Sequence, residues 1–164
     1  MASILKTDKI EGVTASGTVQ MPEGSVIQVV QATTSTQTLH NSTTYSDTGL
    51  TVTITPKFSA SKVLIMAKQK GVRLEDTDGS GCSIGLLRGT NFIHKPGPST
   101  GHHQFFTSAS HMYGELEVTL LDDPSTTSAT TYKTQCASYY SSKNVYCQQG
   151  NNFTSVISAM EIAQ

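Results

Sequence analysis

Between Gly49 and Ala67 the chain reads GLTVTITPKFSASKVLIMA, and two patterns of apolar residues meet there. Leu50, Val52 and Ile54 alternate with Thr51, Thr53 and Thr55, a period of two that predicts a strand with one dry and one wet face. After a polar turn, Val63, Leu64, Ile65, Met66 and Ala67 run apolar without a break, which predicts a strand covered on both faces. GELEVTLLDD repeats the first pattern, with Leu116, Val118 and Leu120 opposite Glu115, Glu117 and Thr119.

Further strands are expected at Ser25–Gln31, Thr43–Tyr45, Leu50–Thr55, Lys62–Lys70, Cys82–Arg88, His103–Thr107, Glu115–Leu121, Thr130–Ala137, Asn144–Cys147 and Ser155–Glu161. Turn-formers separate them: TPKFSAS, EDTDGSG, KPGPSTG and DDPSTTS. No segment holds a helical period over three turns. Many short strands without intervening helices predict an all-β fold, a jelly-roll-like antiparallel β-sandwich. The apolar strand then has one face too many for a single two-layer sandwich. Either a loop covers the second face or another copy of the chain does, and we favour a subunit interface at Val63, Leu64, Ile65 and Met66. Which face of that strand is the interface is left open by the pattern.

The opening stretch differs. MASILKTDKIEGVTASGTVQ offers only Ile4, Leu5, Ile10 and Val13 as apolar residues, too few for a core. Residues 1–20 are expected to lie against a partner as a docking segment, with residues 21–164 forming the sandwich. Fully extended, such a segment reaches on the order of 65 Å.

Composition sharpens this picture. Charged residues make up 14% of the 164 residues, well under the usual quarter, and Ser and Thr take their place. The formal net charge is −1 with no basic run, which argues against nucleic-acid binding. No stretch has the length and apolarity of a membrane span or a secretory signal, so no membrane partner is expected and the chain should fold in a cytoplasm. Cys82, Cys136 and Cys147 cannot all pair within one chain and are expected to be buried small hydrophobes in a reducing compartment.

Candidate chemistry is sparse. NFIHKPGPSTGHHQFFTSASHMYG holds His94, His102, His103 and His111 beside Phe92, Phe105, Phe106 and Tyr113. Adjacent His102 and His103 would point to opposite faces of a strand, so they do not share an ion within one chain. Copies of one histidine meeting on a symmetry axis are the route left open for a metal, but no metal ligand is assigned and no cofactor is expected. Amphipathic rings on a Pro/Gly-held loop suit contact with sugars. The receptor-binding candidates are therefore His94, His102, His103, Phe105, His111, Tyr113, Tyr139 and Tyr140; the bland alternative is a solvated loop with one core phenylalanine. Glu75, Asp76 and Asp78 suggest calcium but lack the distal glutamate of an EF-hand loop. Asp122 and Asp123 read as turn chemistry rather than a hydrolytic pair. No characteristic flanking sequence marks any cysteine as a nucleophile, and no enzymatic activity is expected.

Three pieces of the chain, in order, resemble virion structural proteins of marine tailed phages, the tail-fibre-like group of cyanophages and pelagiphages. MASILKTDKIEG resembles their common start. GSVIQVVQATT followed by TGLTVTITPKFSASKVLIMA resembles the first half of their distal β-domain, and LLDDPSTTSATTYKTQ with SVISAMEIAQ the second half. Residues 70–112 depart from the pattern, where a recognition surface would vary. The resemblance implies a homotrimeric tail fibre or spike in the virion, attached through residues 1–20 to tail, baseplate or capsid proteins and meeting a host-surface glycan at its distal domain. A capsid decoration or head-fibre protein, and a free lectin-like module, are the alternatives. Neutral hydroxyls on the exterior would let identical copies pack side by side without like-charge repulsion.

Overall fold

The computed structural model describes residues 21–75, 80–97, 103–104 and 111–164. These form β1 (Val26–Thr34), β2 (Thr38–His40), β3 (Ser46–Ile54), β4 (Lys62–Glu75), β5 (Gly81–Arg88), β6 (Asn91–His94), β7 (His103–Gln104), β8 (His111–Asp122), β9 (Thr130–Ser138), β10 (Asn144–Cys147) and β11 (Ser155–Ile162). A short 3-10 turn, Gln149–Asn151, lies between β10 and β11. The expected all-β sandwich is what the chain forms.

Two antiparallel sheets pack face to face. One contains β1, β11, β4, β10 and β2 in that order, with β8 on the far edge of β4; the other contains β3, β9, β5 and β6, with β7 also on β5. The chain crosses repeatedly between them: β3 to β4, β4 to β5, β8 to β9 and β9 to β10 all change sheets. The resulting orders, β1-β11-β4-β8 facing β3-β9-β5-β6, are those of a jelly roll.

Alternation decides what lies between the sheets. Leu50, Val52 and Ile54 of β3 point inward at 5% exposure or less, while Thr51 and Thr53 face outward. The outward threonines tie β3 to β9: Thr53 Oγ1 meets Thr131 Oγ1 at 2.8 Å, and Thr51 Oγ1 donates to the Tyr132 carbonyl at 3.2 Å. This is a local role for the threonine face: hydroxyls bond their cross-strand neighbours. Leu116 and Val118 are buried as expected, with Glu115, Glu117 and Thr119 outside.

Several boundaries differ from the sequence reading. Thr43–Tyr45 is not a strand; pairing begins at Ser46, and the short β2 and β6 had no clear pattern. β4 runs to Glu75 rather than ending near Lys70, because Gly71, with φ +58, makes a bulge inside the strand and not a turn after it. The bulge has a consequence. β11 borders β4 from Lys62 to Lys68, and β10 borders the same edge from Arg73 to Glu75. Gly71 sits where one neighbour gives way to the other.

Beside that junction a buried polar network crosses the core. Gln69 Nε2 and the Lys70 N–H donate to Ser155 Oγ at 3.0 and 2.9 Å, Thr134 Oγ1 donates to Gln69 Oε1 at 3.3 Å, and Thr134 Oγ1 meets Thr48 Oγ1 at 2.6 Å. The Gln148 amide places its nitrogen 3.1 Å from the carbonyls of both Cys147 and Thr36, and its oxygen accepts from Ser155 Oγ at 2.9 Å. Buried amides of this kind remain only where their donors and acceptors are met.

At the lower rim, Glu161 is fully buried. Its carboxylate accepts from Gln28 Nε2 at 2.6 Å and from the N–H groups of Lys57 and Phe58 at 2.8 and 3.2 Å. One carboxylate thereby fixes the 56–61 turn to β1 and β11. Asp122, expected to be turn chemistry, is instead a buried anchor. It accepts from the Tyr132 hydroxyl at 2.7 Å and from Arg88 at 3.0 Å, closing β8 onto the facing sheet. Asp123 faces elsewhere, accepting from Ser125 Oγ at 2.8 Å.

Candidate assembly surface

The apolar run 63–67 resolves into two faces. Val63, Ile65 and Ala67 are buried at 2% exposure or less, between the sheets of their own chain. Of the four residues expected at a subunit interface, Val63 and Ile65 are thus core residues and are corrected to that role. Leu64 and Met66 face outward, and Met66 is 39% exposed.

The register shows that Leu64 is not isolated. Val29 of β1 is paired with Met160 of β11, Met160 with Leu64 of β4, and Leu64 with Leu121 of β8. These four side chains form an apolar row across the outer face of the six-stranded sheet, and Val29 and Leu121 are each more than half exposed. Met66 lies in the next row and Val26, 52% exposed, lies beyond Val29 at the rim. Towards the other end of β4 the face turns charged, with the Lys68 ammonium 2.7 Å from Glu115. Monomeric proteins scatter exposed apolar residues singly; a contiguous row marks a surface that something covers.

The receptor-binding candidates do not form one surface among the described residues. His111 and Tyr113 lie on the outer face of β8 and join a cluster built on Glu75. That carboxylate contacts Arg73, accepts from the Tyr146 hydroxyl at 2.9 Å and from Asn144 Nδ2 at 3.2 Å, and has the His111 ring at 3.6 Å. The Tyr146 and Asn144 donors hold the Glu75 carboxyl below its usual range. Arg73 lies 5.3 Å from the centre of the Tyr146 ring. Tyr139 and Tyr140 stack edge-to-face, 4.4 Å apart, at the β9–β10 turn. His94 belongs to the other sheet, next to Lys95, whose ammonium lies 4.6 Å from the centre of the Phe92 ring. There Thr43, Thr44, Tyr45, Phe92, Lys95 and Gln135 line an open groove of about 330 Å³. The backbone of His103 pairs with Cys82. His102, Phe105, Asp76, Asp78 and the attachment residues Ile4, Leu5, Ile10 and Val13 lie outside the described residues.

A third arrangement was not foreseen. His40, Cys136 and Cys147 are all buried, and one ligand atom from each lies within 4.8 Å of the others. Thr38 of β2 pairs with Cys147 of β10, and His40 with Val145, so His40 and Cys147 hang from one sheet. Cys136 of β9 comes from the facing sheet. Cys82 is its diagonal neighbour on β5, where Ile84 pairs with Cys136 and Cys82 with Ser138. Hydrogen bonding to Cys136 draws the Cys147 thiol down, with His40 and Thr38 adding to the effect against burial. The Cys136 thiol is pushed up by its bonds to Cys147 and Cys82 and by burial. The cysteines are buried as expected, but they are gathered rather than dispersed. His40 was the one histidine outside the sequence cluster, and no local spacing links it to residues a hundred positions away. Only the topology does.

Comparison with models of protein families finds no match, and comparison with curated proteins finds none either.

Proposed function

We propose that this chain is a structural component of a tailed-phage virion, a homotrimeric tail fibre or spike whose copies cover one another through the outer face of the six-stranded sheet. The observation that carries the self-association is the Val29–Met160–Leu64–Leu121 row with Met66 beside it. A second copy is the occupant that fits. The face is apolar at one end and carries a neutralised Lys68–Glu115 pair at the other, so identical copies meet without like-charge repulsion. Closed rotational symmetry buries the apolar end of this face, around Leu64 and Leu121, and leaves the Glu75 end of β4 and β8 open to solvent. The assignment to a phage virion rests on the sequence resemblance, and residues 1–20 are proposed to bind the tail, baseplate or capsid partner.

Two measurements test this reading. The wild-type mass in solution should be that of a trimer, and Leu121→Asp should reduce it to the monomer with the β-sheet circular dichroism intact. Immunogold labelling of intact particles should decorate the tail tip; labelling over the head would replace the fibre with a capsid decoration, and no labelling would refute virion membership.

Host contact is proposed at the Glu75 cluster, since exposed Tyr113 and His111 there adjoin an acid, an amide and a guanidinium, groups able to bond sugar hydroxyls. A glycan array probed with the wild-type protein and with Tyr113→Ala tests it; equal signals from both would remove this site.

A further inference from the structure

Among the described residues, one group of metal-ligating side chains lies apart from the assembly face. We propose that His40, Cys136 and Cys147 bind a zinc ion that ties the two sheets together, with Cys82 as the fourth ligand. The chain has three cysteines, and all of them lie here, fully buried beside a histidine that is 3% exposed. Burial as small hydrophobes accounts for the position of each sulfur separately. It does not account for two sulfurs and an imidazole nitrogen converging within 4.8 Å from three strands, nor for a third buried thiol diagonal to Cys136 on the adjoining strand.

The donor set selects the metal. Thiolate and imidazole together suit zinc and exclude the hard cations, which require oxygen. Three cysteines and one histidine is a structural zinc set, closed to solvent and substrate. The histidine is already oriented for the task. Nδ1 lies 2.7 Å from Ser46 Oγ, and Nε2 lies 2.9 Å from the hydroxyl of Thr38, the residue paired with Cys147. A proton on Nδ1, donated to Ser46, is an outer-shell contact of the kind that fixes ligand tautomers; Nε2 then accepts from the Thr38 hydroxyl, a bond that the metal would replace on the Cys147 side. Binding releases the thiol protons to solvent. Two thiolates cancel the charge of the dication.

The ion would join β2 and β10 to β9 and β5, at the end of the sandwich where β10 replaces β11 beside β4. Its role would be to close that end.

The test uses the full chain, expressed in zinc-supplemented medium and purified under reducing conditions without chelator. Mass spectrometry of elements should find zinc equimolar with protein. After unfolding with chelator, refolding with cobalt(II) should give the visible bands of a tetrahedral ion and a thiolate charge-transfer band, both displaced by added zinc. Cys147→Ser and His40→Asn should each lower zinc content at least tenfold. Cys82→Ser should weaken binding but retain the ion; unchanged affinity would remove Cys82 from the set. Wild-type protein that carries only background zinc and binds no cobalt would overturn the proposal. So would a Cys136–Cys147 disulfide found by peptide mapping of protein prepared under the same conditions. Metal binding and oligomeric state are read separately, so failure of this site leaves the assembly reading standing.

Discussion

Gly71→Ala adds a single methyl group at the point where β4 exchanges β11 for β10. The backbone there has φ +58, and the added Cβ would lie 2.5, 2.6 and 2.7 Å from Cδ2, Cγ and Cβ of Phe153. Two costs combine. Alanine in the left-handed region costs about 1–2 kcal/mol, and overpacking costs about 1–3 kcal/mol. Reduced freedom of the unfolded chain returns about 0.4–1 kcal/mol. The net loss is about 2–4 kcal/mol by these terms. Rotating the Phe153 ring towards solvent does not relieve the clash, because its Cβ is among the contacts, so the loop itself must move. Urea denaturation at fixed protein concentration measures the loss. In a Phe153→Gly background the steric part vanishes and only about 1 kcal/mol should remain, giving a coupling of at least about 1 kcal/mol in the double-mutant cycle. A cost below about 0.5 kcal/mol for Gly71→Ala alone would refute the reasoning about the bulge. Equal costs in both backgrounds would refute the role of Phe153.

Four other outcomes follow from the packing. Ile65→Asp should abolish folding, whereas Met66→Asp on the next residue should leave the fold intact and weaken self-association more than 100-fold, as expected when a carboxylate costs roughly 3 kcal/mol or more to bury at an apolar interface; sedimentation and circular dichroism separate the two. Tyr132→Phe should cost about 1.5–3 kcal/mol in urea, since Asp122 loses a buried donor while keeping Arg88. Burial would raise the Glu161 carboxyl, but donation by Lys57, Gln28 and Phe58 outweighs it and holds the group below its usual range. A depressed folded-state value means that its stabilisation is full above the unfolded-state value of about 4.3 and is lost as pH falls through the folded one. Glu161→Gln should therefore flatten the acid limb of the stability profile, and an unchanged limb would count against this assignment. Chelator present during unfolding and refolding should lower the melting temperature of wild type but not of Cys147→Ser.

Alternation made most of the sandwich legible. Leu50, Val52 and Ile54, or Leu116 and Val118, declare their face because a period of two has no other stable solution in water. The unbroken run at 63–67 also said correctly that the strand was apolar on both sides, but not which residues shared a side with the core; the neighbours Ala159 and Ile157 settle that. Boundaries failed where chemistry overrode punctuation. The strand expected to end at Lys70 runs on through a bulge at Gly71, and the Asp122 of an apparent Asp-Asp-Pro turn is held inside by Tyr132 and Arg88. Candidate sites were least legible of all. The histidine-rich stretch drew attention through local density, yet His94 and His111 occupy different sheets. The cluster of His40, Cys82, Cys136 and Cys147 spans most of the chain, and strand crossings between sheets, invisible to any local spacing, bring it together.

Sedimentation of the full-length wild-type chain at micromolar concentration tests the central claim most directly. Protection of the outer apolar row by sister copies predicts a trimeric mass that persists on dilution and falls to one-third in Leu121→Asp. A stable single-chain mass for wild type, with no tendency to associate as concentration rises, would contradict it.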